Sequence, residues 1–186
     1  MHEALEAIVK FFLRFNEHVN NMGPEIKRTY SLDARTTYTR LRWQGATLDY
    51  RKQGLSESAL LASAMFRVNL CAPERVPIKR PWHQIEALKK ELQHLRLRAL
   101  EDLDEMSRRP KQEWLVAHLA PDFPVQLMFH GNYDQFCIDV TGRNLEAFGV
   151  TTFRLDAEDV TPKLMDEIGL FLLGRTNRLP AALRRV

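Results

Sequence analysis

The stretch 27–52, KRTYSLDARTTYTRLRWQGATLDYRK, constrains the fold more than any other part of the chain. β-Branched and aromatic side chains dominate residues 36–44, and these fit a pleated surface better than a helical turn. A strand sends alternate side chains to opposite faces. One face then carries Thr36, Tyr38, Arg40, Arg42 and Gln44. The other carries Thr37, Thr39, Leu41 and Trp43 and is the face to bury. Gly45-Ala46 is expected to turn the chain, with residues 47–52 returning antiparallel and Leu48 and Tyr50 on one face. Gly54 ends the return strand.

Charge singles out the same stretch. Lys27, Arg28, Arg35, Arg40, Arg42, Arg51 and Lys52 meet only Asp33 and Asp49, so the segment holds a charge of +5 against +3 for the whole chain. A hairpin with an arginine and tyrosine face can track phosphates and stack bases. The plainer account of the same residues is the solvated outer face of a half-buried antiparallel sheet, with arginine blunting an edge.

The totals narrow the class without naming a function. A chain of 186 residues makes one domain or two small ones. Its 45% hydrophobic content is enough for a real core. A pI near 9.0 with a net charge of +3 does not by itself select a nucleic-acid partner. Cys71 and Cys137 form no CxxC pattern and suit a reducing compartment. The first segment, MHEALEAIVKFFLRFNEHVN, places Glu3 and Glu6 before its apolar run and lacks a basic leader, so a secretory signal is not expected. No apolar run is long enough to cross a bilayer. The expected location is the cytoplasm.

Residues 2–21 read as a helix, with Leu5, Ile8, Val9, Phe12, Phe15, Val19 and Met22 at helical spacing and Gly23-Pro24 as the stop. Residues 26–31 suit a first strand. Residues 55–71 combine a helix signal, Ser56 as cap, with strict alternation from Leu60 to Leu70, and the alternation favours a strand over 62–71. Residues 72–81 hold three prolines and read as a linker. In 82–106 the apolar residues Ile85, Leu88, Leu92, Leu95, Ala99, Leu103 and Met106 step by three and four, predicting a long helix of roughly 37 Å. Residues 107–110 break it, and 111–119 read as a short amphipathic helix around Trp114, Leu115 and Leu119. Val125, Leu127 and Phe129 alternate, 131–134 turn, and Phe136, Ile138 and Val140 alternate on the return. Residues 150–155 form a third strand. Residues 161–173 form a last helix with Thr161 as cap, Pro162 in its first turn and Gly174 as stop.

Neither a Walker nor a dinucleotide glycine loop occurs, and the six histidines form no H-x-x-x-H pair. No catalytic or metal-ligating residue and no cofactor is assigned. His130, Cys137 and Asp139 fall on one face of the 125–140 hairpin, which makes a Cys–His nucleophile geometrically feasible. A small core cysteine and a solvated turn histidine explain the same residues more simply. The acids Asp156, Glu158, Asp159, Asp166 and Glu167 cluster at the start of the last helix, where negative charge complements the helix dipole. They lack the ligand rhythm of a calcium loop.

These readings give an α+β fold: an N-terminal helix on an antiparallel sheet, a long central helix, and a small C-terminal ββ(β)α unit. Residues 1–72 form one subdomain, 73–81 a linker and 82–186 a second, unless all make one compact domain. The expected function is non-catalytic binding, with nucleic acid as partner through Lys27, Arg28, Arg35, Tyr38, Arg40, Arg42, Arg51 and Lys52. The alternatives are a homodimeric interaction module pairing through Ile85, Leu88, Leu92, Leu95 and Leu103, or a domain holding a small ligand between sheet and helix. No membrane partner is expected.

Overall fold

The computed structural model describes residues 1–54, 59–109 and 112–186. The expected cap at Ser56 and the helix stop at Pro110 lie outside the described residues. Helix α1 (His2–Met22) forms as its periodicity requires and buries Leu5, Ile8, Val9, Phe12 and Val19. Gly23 ends it at φ 52°, with its N–H bonded to the Val19 carbonyl at 3.0 Å. A side chain at that φ would crowd the backbone, so glycine serves as the stop. Three short strands follow: β1 (Glu25–Ile26), β2 (Tyr30–Ser31) and β3 (Thr37–Tyr38).

The hairpin expected over 36–52 is not present. Residues 41–52 form one continuous strand, β4 (Leu41–Lys52), paired antiparallel along its length with β5 (Leu61–Cys71). A β-bulge between Trp43 and Gly45 explains the misreading. Leu41 and Trp43 before it, and Ala46, Leu48 and Tyr50 after it, lie on the same sheet face. The inserted residue shifts the apolar positions from odd to even without turning the chain.

The expected linker is also a strand, β6 (Val76–Pro81), which buries Val76 and Ile78. It pairs with one neighbour only, and an edge strand tolerates proline. The long central helix is absent. After a single 3₁₀ turn, α2 (Ile85–Leu95) keeps the 3-4-3 spacing of Ile85, Leu88, Leu92 and Leu95. Arg96 then enters the left-handed region at φ 57°. Its N–H reaches the Gln93 carbonyl, and the Leu97 N–H reaches that of Leu92 at 2.8 Å. This pair of bonds is a Schellman closure. The chain continues extended to α3 (Leu103–Ser107), capped by the Asp102 carboxylate. Residues expected as a short helix form β7 (Trp114–Leu119) instead, burying Leu115, Ala117 and Leu119 against β6.

The C-terminal half follows its alternation except at Phe136, expected on the return strand, which stands exposed at φ 52° in a turn over 133–136. It contains β8 (Asp122–Asn132), β9 (Cys137–Arg143), β10 (Val150–Asp156), α4 (Pro162–Leu172) and β11 (Arg184–Arg185). Thr161 caps α4, its hydroxyl accepting from the Leu164 N–H at 3.2 Å.

The result is a mixed α+β chain built on one seven-stranded antiparallel sheet, ordered β1-β4-β5-β8-β9-β10-β11. Pairing of β5 with β8 carries that sheet across residues 73–81. Helix α1 lies over β4, β5 and β8, where Phe12 stacks on Phe66 with ring centroids 4.3 Å apart. Helix α4 packs beside α1 at Gly169, where a Cβ would stand 3.0 Å from the Phe15 ring. Among the described residues no helix is long and apolar enough to cross a membrane.

Candidate anion-binding face

Helix α1 takes the face of Phe66 and Phe129, which Leu127 and Val140 share, leaving the polar half of each alternation on the other. Cross-strand partners share a face, so the register resolves this open side into rows. One row runs Thr47, Arg67, Gln126, Arg143. Beside it lies Gly45, Asn69, Pro124, followed by Arg42, Cys71, Asp122. On its other side lie Asp49, Met65, Met128, Thr141 and then Arg51, Ser63, His130, Asp139, Arg154.

A cavity of about 380 Å³ opens over the first two rows, walled by Gln44, Thr47, Arg67, Asn69, Gln126 and Arg143, with Arg96 reaching in from the end of α2. A second pocket of about 250 Å³ adjoins it, lined by Glu25, Arg40, Arg42, Gln44 and Cys71. Gln44 belongs to both.

The cations around these pockets differ in how they are neutralised. Arg67 pairs with Asp49. Arg96 donates from Nη1 to Gln126 Oε1 at 3.2 Å, and Arg143 donates to the His94 carbonyl. Both acceptors are uncharged. Among the described residues no carboxylate forms an ion pair with Arg40, Arg42, Arg96 or Arg143. Burial pulls the pKa of Arg143 below the usual arginine value, and the neighbouring charge of Arg96 adds to the pull. Arginine still carries its charge at neutral pH.

The basic stretch that drew attention in the sequence is dispersed by the fold. Arg40 and Arg42 are exposed and share a pocket, and Arg51 is exposed two rows beyond Arg67. Arg28 is turned inward, its guanidinium 3.8 Å over the Phe171 ring and bonded to three carbonyl oxygens. Tyr38 is fully buried, its hydroxyl donating to the Ala120 carbonyl at 2.9 Å. Burial, with the charge of Asp122 added, raises its pKa above the usual tyrosine value. Arg28 and Tyr38 are therefore removed from the expected contact surface. Lys27 is exposed beside Glu146, Arg35 lies on the turn before β3, and Lys52 lines a pocket with His2 and Glu6 at the start of α1. None of these three borders the two pockets.

The proposed helix seam has no free surface. Ile85, Leu88, Leu92, Leu95 and Leu103 are each at most 8% exposed, buried within the chain itself. The length mismatch that motivated helix pairing disappears with the long helix. His130 stands opposite Asp139 and diagonal to Cys137, with the shared face as expected but the turn displaced by two residues, from 131–134 to 133–136. Cys137 is buried, and Asp139 is engaged by Asn132 at 3.1 Å and Arg154 at 3.8 Å. Among the described residues no cluster of three histidine, cysteine or acidic side chains could hold a metal ion.

Sequence reasoning missed Arg67, Asn69, Gln126 and Arg143. Their signal was present as the polar positions of strands recognised only by their apolar ones. Arg96 gave none, because its role depends on a helix end that no glycine marks. No protein-family model, curated protein or solved structure matches the chain.

Proposed function

We propose that this chain is a non-catalytic binding protein that holds the phosphate backbone of a nucleic acid across its open sheet face. One observation carries the reading: Arg40, Arg42, Arg96 and Arg143 surround two adjoining pockets and have no carboxylate partner among the described residues. Cations on a surface are commonly matched by nearby acids, as Arg67, Arg154 and Arg184 are here. Glu25 stands opposite Arg42 across β1 and β4 without forming an ion pair with it, and arginines left unpaired favour an external anion, their planar forks suiting phosphate. No aromatic ring lines either pocket, so recognition rests on charge rather than base stacking and has little sequence preference. Free thiols at Cys71 and Cys137 support a reducing, cytoplasmic setting.

Fluorescence anisotropy with a labelled single-stranded oligonucleotide, titrated at several salt concentrations, tests the reading. Binding is expected to weaken steeply with salt. The double substitution Arg40→Ala, Arg42→Ala should reduce affinity and flatten the log–log salt slope by about 0.7 per lost phosphate contact. Absence of binding at low salt would refute the reading.

A further inference from the structure

We infer that the cavity walled by Arg67, Gln126, Arg143 and Arg96 is a site for a phosphate monoester, such as the terminal phosphate of a nucleotide or an oligonucleotide. The inference deepens the nucleic-acid reading and rests on it only where the monoester is an oligonucleotide end.

Two cations from unrelated elements line one cavity beside Gln126. Arg143, near the end of β9, is the cross-strand partner of Gln126. Arg96, at the left-handed close of α2, donates to the Gln126 amide oxygen at 3.2 Å. Neither has a carboxylate partner among the described residues, and Arg143 is half-buried. Partial burial, and after it the neighbouring charge of Arg96, disfavour the charged form of Arg143. Two cations that line one cavity without a carboxylate partner are matched by two negative charges rather than one. An internal phosphodiester supplies only one, whereas a monoester supplies about −1.5 to −2 at neutral pH with three acceptor oxygens. Two guanidinium forks match those oxygens. Arg67 adds a donor without adding net charge, because Asp49 already neutralises it. Gln44 and Asn69, which also line the cavity, offer amides for the rest of the ligand. The volume, about 380 Å³, falls within the range of small-ligand pockets.

Isothermal titration calorimetry on the full chain with AMP, adenosine and inorganic phosphate tests the site. Anisotropy with 5′-phosphorylated and 5′-hydroxyl oligonucleotides of one sequence distinguishes the source. AMP is expected to bind at least tenfold tighter than adenosine, and Arg143→Gln to abolish that preference. Arg96→Gly removes the second cation while easing the backbone, so its loss of AMP binding with an undiminished melting temperature cannot be ascribed to misfolding. AMP binding without oligonucleotide binding would uphold the cavity site and refute the wider nucleic-acid reading. A tenfold gain for the 5′-phosphorylated oligonucleotide, lost in Arg143→Gln, would assign the monoester to a nucleic-acid end. If AMP binds no better than adenosine and both oligonucleotides bind alike, the monoester site is overturned and the charge-based reading stands alone.

Discussion

At the scale of the residue, the fold decides what a charge is for. Arg28 counted toward the basic stretch in the sequence, yet it serves as an internal tie. It donates to the carbonyl oxygens of Leu145 at 3.1 Å, and of Phe171 and Thr176 at 2.8 Å each. The last two belong to the C-terminal end of α4 and the residues after it, where carbonyls lack helical partners and the dipole favours a cation. Arg28→Ala should therefore cost about 2–3 kcal/mol and lower the melting temperature by roughly 5–10 °C, with oligonucleotide binding unchanged. Arg28→Lys should restore only part of this, because an ammonium lacks the planar fork. Circular dichroism melts of the two variants check both expectations. Asp33 is the acidic counterpart. Its carboxylate accepts from the Arg35 and Thr36 N–H groups at 2.7 and 2.8 Å and pairs with Arg80 on β6. Partial burial works to raise its pKa, but Arg80 and the two amides outweigh burial and hold it below the usual aspartate value. A depressed folded-state pKa contributes stability above the unfolded value of about 4, and that contribution is lost as pH falls through the lower folded value. Asp33→Asn should be less stable than wild type at pH 7, and the gap should close in acid. Urea midpoints measured from pH 7 down to pH 2.5 would show it, and a gap independent of pH would refute it.

At the scale of the element, legibility followed the clarity of the period. Helix α1, β5, β8, β10 and α4 were readable because their apolar residues keep one rhythm from end to end and their caps are conventional. Four elements were misread where the rhythm changes or is masked without a marker. In β4 the bulge at Gln44 switches the apolar positions from odd to even, which imitates a turn followed by a new strand. Around α2 the leucine spacing happens to continue beyond Leu95, although Leu97 and Ala99 already alternate in the extended segment that meets β7. In β6 and β7, prolines and an alanine hid an ordinary alternation. The candidate site inherits these difficulties. Its arginines come from β4, β5, β9 and the end of α2, and no local pattern announces that they meet. Arg96 tests the helix end directly. A non-glycine residue at φ 57° is disfavoured where glycine is not, so Arg96→Gly should stabilise the protein by about 0.5–1 kcal/mol. Chemical denaturation checks this, and an unchanged or lower midpoint would show that the bond to Gln126 outweighs the backbone strain.

At the scale of the whole molecule, the prolines at 73, 77 and 81 suggested a boundary that the sheet does not respect. Strands β1, β4 and β5 precede them, and β8 to β11 follow, yet β5 and β8 pair over nine residues from Ser63↔His130 to Cys71↔Asp122. Separating the halves would break that ladder and leave two unpaired edges in the centre of the sheet. It would also uncover Phe66, Val68, Leu127 and Phe129, each at most 4% exposed. Helix α1 reinforces the joint, because Phe12 stacks on Phe66 of β5 and lies 5.8 Å from the Phe129 ring of β8. The ribbon of β6 and β7 spans the expected boundary as well, pairing Val76 with Leu119 and Pro81 with Trp114. Neither half therefore has a core independent of the other, and the chain should unfold as one unit. Scanning calorimetry is expected to show a single transition whose calorimetric and van't Hoff enthalpies agree. For a chain of this length the enthalpy should be about 130 kcal/mol near 60 °C. Two resolved transitions, or a calorimetric enthalpy well above the van't Hoff value, would mean that residues 1–72 and 82–186 fold separately despite the shared sheet.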